Sequence, residues 1–142
     1  MGATGHYVHR IKNAVNVEYT STYSTDKTIK VNLNQDITDG GNAAPIRTRR
    51  IYSGNIQLIR LKGTVNGGAT QITLKGYEDA DGIELLLPAS TAVFESAITG
   101  TDVSVVFKVD IFHAAPHDDL YLFCKTNNGT FTVNEVQVAW YE

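Results

Sequence analysis

Cysteine is almost absent from this sequence. Cys124 is the only one among 142 residues, so no disulfide within the chain can support the fold. Long apolar runs are absent too, and none approaches the length of a membrane-spanning helix. The first ten residues, MGATGHYVHR, lack the apolar core of a signal peptide. These absences predict a chain that is made in the cytoplasm, is not exported by that route and has no membrane partner.

Recognisable catalytic motifs are missing as well. The chain contains no G-x-S-x-G, no H-E-x-x-H, no phosphate-binding glycine loop and no cysteine–histidine pair with a family signature. Because triads can assemble from distant positions, this absence lowers the expectation of an enzyme without removing it. We predict that the protein is not an enzyme and has no cofactor.

Length and composition indicate one globular domain spanning residues 1–142, with residues 1–13 as a polar N-terminal arm. The net charge of −3 is unevenly distributed. Residues 1–62 carry nine Lys or Arg against four Asp or Glu, and the remainder carries three against eleven. This asymmetry gives the folded protein a basic and an acidic side, unless strands from the two halves interleave and blur it.

Strand patterns account for most of the chain. Nine short segments are rich in β-branched and aromatic residues and are separated by turn-forming residues. They are 15–23, 27–33, 48–53, 56–62, 70–77, 82–88, 102–112, 119–126 and 130–141. The one helical candidate, 89–98, is expected to be a single turn or a short strand. The pattern predicts an all-β fold.

Alternation along the strands predicts which side chains form the core. In the strand 102–112, the apolar residues at odd positions, Phe107 among them, are expected to face inward. The apolar face changes parity near Asn134–Glu135 and again between the pair Ile56, Leu58 and the pair Ile59, Leu61, which indicates a β-bulge at each place. Strands that change face suit a single antiparallel β-sandwich of jelly-roll type, with about eight to nine short strands.

Two connections have distinctive sequences. Asn127–Asn128–Gly129 joins two strong strands through residues that tolerate positive φ, so the sequence predicts a hairpin there. The segment NQDITDGGNAAPI, residues 34–46, is the longest without a strand pattern and is expected to be a surface loop.

The segment HAAPHDD, residues 113–119, has the highest density of metal-binding side chains. A metal site would need three or more converging ligands, and Pro116 argues against a helix that would present His113 and His117 together. The alternative is a polar turn built by Pro116 and the two aspartates between buried strands. We prefer the turn and predict no metal.

The sequence RTRR contains the densest basic cluster, Arg47, Arg49 and Arg50. Three arginines in an acidic protein fall short of a basic face with stacking aromatic residues, so we expect no nucleic-acid partner. Arginine binds carboxylates through paired hydrogen bonds and is enriched at protein interfaces. We therefore predict that these three residues and Arg10 make protein contacts.

The aromatic residues raise the possibility of sugar recognition, which requires several of them clustered on one exposed face. The pool of candidates comprises Trp140, Tyr141, Tyr121, Tyr52, Tyr23 and Tyr19. Periodicity places Trp140 with Val136 and Val138, and so predicts that it lies in the core.

Three features of the whole chain suggest a broader comparison: the segment MGATGHYVHRIKNA before the strands, the turns rich in Thr, Asn and Gly, and the dense short strands up to residue 141. In this general character the chain resembles the small β-sandwich accessory proteins of bacteriophage virions, such as head decoration proteins and spike or fibre domains. The resemblance implies a non-enzymatic virion subunit that self-associates, commonly as a trimer, and attaches to a capsid or other virion protein.

Two other classes share this fold. One is a carbohydrate-binding or receptor-binding module, and the other is an enzyme whose histidines line the interior of the sandwich. Inward-facing His113 and His117 would favour the enzyme, and surface histidines would favour the other classes.

Overall fold

The computed structural model describes residues 7–23, 27–34, 36–39, 54–77, 93–113 and 120–141. These residues form eight β-strands and no helix. The strands are β1 (Tyr7–Tyr19), β2 (Ile29–Val31), β3 (Gly54–Asn66), β4 (Gln71–Tyr77), β5 (Val93–Ala97), β6 (Asp102–His113), β7 (Leu120–Thr126) and β8 (Thr130–Tyr141). In this part of the chain there is accordingly no helix long and apolar enough to cross a membrane.

The strands form two four-stranded sheets. The first sheet has the order β1-β8-β3-β6, and the second has the order β2-β7-β4-β5. All pairs are antiparallel, and β1 pairs with β8, β2 with β7, β3 with β6 and β4 with β5. This pairing corresponds to one long hairpin, folded at the β4–β5 connection and rolled into two layers. The predicted antiparallel β-sandwich of jelly-roll type is confirmed.

The strand order also decides the question of charge distribution. β8, from the acidic half of the sequence, lies between β1 and β3, which come from the basic half. The first sheet therefore combines strands from both halves, and the sequence asymmetry does not divide the described strands into a basic and an acidic sheet.

The core lies between the two sheets, and its clearest strand is β6. The side chains of Val103, Val105, Phe107, Val109 and Ile111 are buried, as the alternation predicted. Removing such a side chain from water contributes about 1.5–3 kcal/mol. Trp140 is fully buried, which confirms its predicted place in the core.

One polar side chain of the core, Tyr19, connects the two sheets, and Thr28, next to β2, bonds to the same oxygen within the second sheet. The Tyr19 hydroxyl, on β1, donates a hydrogen bond of 2.7 Å to the Leu122 carbonyl on β7, and Thr28 donates to the same oxygen at 3.1 Å. Burial raises the pKa of Tyr19 and that of the Cys124 thiol beside it, because neither charged form is solvated there. Tyr19 therefore does not belong to the pool of exposed aromatic residues.

Both predicted β-bulges are present. Asn134 is an extra residue of β8, because Lys62 pairs with Glu135 and the next residue, Gly63, pairs with Val133. A Cβ at position 63 would collide with the Thr132 carbonyl, so the close approach of the two strands requires glycine. The second register shift lies between Ile56 and Leu58, whereas the parity in the sequence placed it after Leu58.

The predicted polar arm is partly wrong. Residues 7–13 form the first half of β1 and pair with β8 from Tyr7↔Tyr141 to Asn13↔Glu135. β1 is an edge strand, and its residues 9, 11 and 13 are exposed. Its hydrogen-bonding partner, β8, is far away in sequence, so the segment by itself does not reveal the pairing. Residues 1–6 lie outside the described residues.

The predicted hairpin at 127–129 is also wrong, because β7 and β8 belong to different sheets. The turn is a corner that carries the chain from one sheet to the other. Asn127 braces it: its Oδ1 accepts hydrogen bonds from the backbone N–H groups of Thr70 and Gln71, at 2.9 and 3.1 Å. Gly129 has a φ of 69°, and a Cβ there would collide with the Asn66 carbonyl. Turn residues indicate that the chain reverses direction, but the burial of the apolar faces of the strands decides which sheet the next strand joins.

Other predictions have mixed outcomes. The segment 89–98 contains a short strand, β5, as one of its two expected forms. The start of the predicted 34–46 loop is not wholly on the surface, because Ile37 is buried and Thr38 forms a bridge with Lys30. Residues 40–50, which include the rest of that loop, and the predicted strands 48–53 and 82–88 lie outside the described residues.

Candidate functional site

The predicted site residues fall mainly outside the described part of the chain. Arg47, Arg49, Arg50 and His117 are not described, and for His113 only the backbone is. Gly54, at the start of β3, is the register partner of His113, at the end of β6. The described residues that flank the arginine cluster and HAAPHDD are therefore neighbours, and the roles of both segments stay predictions.

Arg10 is described, and it is half-buried. Its Nη1 donates a hydrogen bond of 2.6 Å to the Leu33 carbonyl, and its guanidinium carbon lies 5.2 Å from the centre of the Trp140 ring. Arg10 therefore ties β1 to the chain that follows β2 and covers the core tryptophan. Its predicted protein contact is untested.

The structure draws attention to a different surface, the side of the first sheet that faces away from the second. We call this surface the outer face. Register partners across an antiparallel sheet share a face, so its residues follow from the pairing. Its members include His9, Ile11, Asn13, Asn55, Leu58, Arg60, Lys62, Ser104, Val106, Lys108, Asp110, Glu135, Gln137, Ala139 and Tyr141.

Apolar side chains are exposed on the outer face. Ile11 is 52% exposed, Val106 45% and Tyr141 38%, and these are the large hydrophobic residues that stand out as exposed in the described part of the chain. They come from three strands, β1, β6 and β8. Half-buried Leu58 and buried Ala139 lie between them on the two central strands. Exposed apolar groups gathered on one face, with polar groups around them, are typical of interaction surfaces.

An ion pair occupies the middle of the same face. Arg60 Nη2 lies 2.8 Å from Glu135 Oε2, and the two side chains are 31% and 22% exposed. The Arg60 Nε is buried without a hydrogen-bond partner. The pair connects the central strands β3 and β8 between exposed Ile11 and Val106, which lie in the same register row.

A shallow groove of about 580 Å³ crosses the outer face beside this pair. Leu58 and Ala139 contribute its apolar floor, and His9, Asn55 and Lys108 are among its polar walls. The His9 Nδ1 lies 3.1 Å from the Gln137 Nε2, so these two side chains are within hydrogen-bonding distance. An apolar floor with a polar rim can bind a ligand or a protein side chain.

Metal binding has no counterpart among the side chains that the structure describes. In that part of the chain no three His, Cys, Asp or Glu residues are grouped so that they could hold an ion. HAAPHDD lies largely outside that part, so the polar turn stays the preferred prediction for this segment and the metal site its alternative.

The sequence contained signals for the outer face that the strand analysis did not use. Val106 is an apolar residue among the polar even-numbered positions of β6, and Arg60 alternates with the core residues Ile59 and Leu61. Ile11 was missed because residues 1–13 were assigned to an arm. Only the strand order brings these three residues onto one surface.

No protein-family model matches the chain, and no curated protein matches it. Among solved structures, it is similar to a chain of the cyanophage Pam1 capsid asymmetric unit, at 17% identity and a TM-score of 0.44, with 99% of this chain and 91% of that chain covered. It is also similar to a carbohydrate-binding module of the glycoside hydrolase family 9 protein Cel9A from Ruminococcus flavefaciens FD-1, at 13% identity and a TM-score of 0.42, with 80% and 97% covered. A Cocksfoot mottle virus structure matches at 8% identity and a TM-score of 0.42, with 97% and 93% covered. These values are too low to transfer any property of those proteins to this chain.

Proposed function

We propose that this chain is a non-enzymatic structural protein, a virion subunit of the capsid-decoration or accessory type that acts through protein–protein contacts. The observation that supports the proposal is the outer face, with exposed Ile11, Val106 and Tyr141 around a half-buried Arg60–Glu135 pair. Aromatic residues and arginine are enriched at protein interfaces, and burying exposed apolar groups is the main driving force for association.

The proposed partners are a capsid or other virion protein and further copies of the chain, with a trimer as the form implied by the bacteriophage resemblance. The proposed location is the virion. We propose no nucleic-acid partner. The one densely basic segment is 47–50, while Arg60 is already paired with Glu135 and Arg10 with the Leu33 carbonyl.

A binding assay on purified phage shells tests this role. The double variant Ile11→Asp with Val106→Asp places two charges on the outer face, and we expect its attachment to shells to be at least about tenfold weaker, because a buried unpaired charge at an interface costs several kcal/mol. Both positions are exposed, so the variant should remain folded. Thr99→Asp, an exposed change on the β5–β6 connection, is the matched control. Equal attachment of parent and double variant would contradict a role for the outer face.

A second variant tests the arginine cluster predicted from the sequence. Charge reversal at Arg47 and Arg49 should weaken attachment to a shell or to a sister subunit and leave the monomer folded. Exposed charge pairs contribute only about 0–1 kcal/mol each, so a clear loss requires that the arginines are buried in the contact. Attachment like that of the parent at physiological salt would remove the cluster from the proposed contact surface.

The alternative is a carbohydrate-binding or receptor-binding module, and the groove is the observation that favours it. Leu58 and Ala139 offer an apolar floor to a sugar ring, and Asn55 and Gln57 offer amide groups to its hydroxyls. A glycan array distinguishes the two functions. The carbohydrate-binding function would replace the virion proposal if the chain is monomeric, does not bind shells and binds an oligosaccharide on the array. That binding should be lost in the variants Asn55→Ala and Gln57→Ala.

A further inference from the structure

The open edge of β6 has a self-complementary pattern of charge. Among the described strands, β6 ends the first sheet and pairs with β3 alone, so within that part of the chain one side of its backbone has no strand partner. On the outer face of this strand, Lys108 and Asp110 are exposed, are two residues apart and take part in no ion pair of the described structure. An unpaired edge of this length is a template for another strand.

We infer that a second copy of this chain docks along this edge, with the two β6 strands antiparallel around a two-fold axis at Val109. In that register Lys108 of each copy lies opposite Asp110 of the other, and the pairing extends over residues 105–113, all within β6. The first sheets of the two copies would join into one continuous sheet. The inference rests on the proposed role in protein contacts, and it names a two-fold dimer in place of the trimer that the resemblance implies.

Charge favours the registers that place Lys108 opposite an aspartate. An axis at Val106 places Asp102 opposite Asp110, an axis at Lys108 places two lysines opposite each other, and like charges in that position are destabilising. An axis at Val105 pairs Lys108 with Asp102 but uses only residues 102–108. The Val109 axis pairs opposite charges over the longer stretch.

The apolar content of the edge is consistent with the same register. Exposed Val106 falls within the paired stretch, opposite position 112 of the other copy, so pairing covers one of the three exposed large hydrophobic residues. Charges on an edge strand usually block pairing with other chains. Here the order of the charges along β6 disfavours other partners and registers but allows pairing around Val109. The resulting contact is isologous, as in two-fold dimers.

Charge-swap variants test the inference by the mass of the protein in solution across a range of concentrations. Lys108→Asp turns both cross-strand attractions into repulsions, as does Asp110→Lys, and each should weaken dimerisation by about tenfold or more. The double variant Lys108→Asp with Asp110→Lys restores opposite charges and should recover the dimer to within about threefold of the parent. Asp102→Lys, the same charge change outside the paired stretch, is the matched control.

Circular dichroism first establishes that each variant is folded, and hydrogen exchange of the parent gives an independent measurement. Within residues 105–113, the backbone amides that point away from β3 should become more protected as the concentration rises. A parent that is monomeric at about 100 µM overturns the inference, as do single variants that dimerise like the parent or folded double variants that do not recover. A stable oligomer whose mass is unchanged by all these substitutions overturns the β6 contact but not the proposed function. A protein that forms the β6 dimer and binds no shell overturns the proposed function but not the β6 contact.

Discussion

Phe107 shows how one side chain supports the sandwich. It lies in the middle of β6 with only 2% of its surface exposed, and its neighbours on the inner face, Val105 and Val109, are buried as well. The next residue back, Val106, is 45% exposed on the opposite face. Adjacent positions of one strand therefore have very different consequences for stability.

We predict that Phe107→Ala lowers the free energy of unfolding by about 3–5 kcal/mol, because it removes buried surface and leaves a cavity. Denaturant unfolding measures the loss. Val106→Ala is the matched control on the same strand and should change the stability by less than about 1 kcal/mol. A loss below about 1 kcal/mol at position 107 would mean that the assigned faces are inverted.

Cys124 is a second single residue with a large effect, because it makes the free energy of unfolding depend on pH. Its folded pKa is raised by burial, so the folded protein keeps the thiol proton at a pH where the unfolded chain loses it. The stability that this contributes is complete below the ordinary thiol pKa, about 8.5, and is lost as the pH rises above it.

We expect Cys124→Ala to flatten this dependence. Relative to the parent, its free energy of unfolding should improve by about 2 kcal/mol between pH 8 and pH 10. Tyr19 is coupled to the thiol, but the ordinary pKa of a tyrosine, about 10, lies at the upper end of this range, so the thiol dominates the difference. Val133→Ala, a buried change without a titrating group, should run parallel to the parent. If the free energy of unfolding of Cys124→Ala also followed the pH dependence of the parent, the thiol would have the same pKa in the folded and unfolded states.

The element scale is best seen at the corner between β7 and β8. Asn127 and Asn128 are adjacent and exposed, yet only Asn127 holds the β3–β4 connection, through the backbone of Thr70 and Gln71 and through a 2.7 Å bond from its Nδ2 to the Thr70 hydroxyl. One side chain thus joins two neighbouring crossings between the sheets.

Asn127→Ala should therefore cost about 1 kcal/mol of unfolding free energy, since it removes two exposed hydrogen bonds to backbone N–H groups, which water can partly replace. Asn128→Ala provides a control of identical chemistry one residue away, with an expected change within about 0.5 kcal/mol. Thermal or denaturant unfolding gives both values. Equal effects at the two positions would show that the bracing of the corner does not matter to stability.

At the scale of the whole molecule, the roll pairs the two ends of the chain. β1 and β8 are register partners from Tyr7↔Tyr141 to Tyr19↔Phe131, so the contacts of the first sheet close very long loops. Closing long loops before their contacts form is entropically costly, and folds dominated by such pairings are slow.

We predict that refolding after dilution from denaturant, followed by Trp140 fluorescence in a stopped-flow instrument, takes milliseconds to seconds. Trp140 is a suitable probe because it is fully buried in β8. Refolding within about 0.1 ms would be too fast for this topology and would indicate that local contacts dominate.

Local patterns in the sequence determined much of the fold. The period-two alternation predicted the core face of β6, the parity shifts predicted the bulges near Asn134 and Ile56, and the apolar companions of Trp140 predicted its burial. Each of these properties depends on residues close together in the chain, since successive side chains of a strand point to opposite faces.

Only the tertiary structure decided which strands are neighbours. Backbone N–H and C=O groups are the same at every residue, so the sequence of a strand does not name its partner, and the pairing is set by which arrangement buries all the apolar faces at once. For this reason the 127–129 turn was mistaken for a hairpin and residues 7–13 for an arm. For the same reason Ile11, Arg60 and Val106, far apart in the sequence, were not recognised as one surface until the order β1-β8-β3-β6 placed them together.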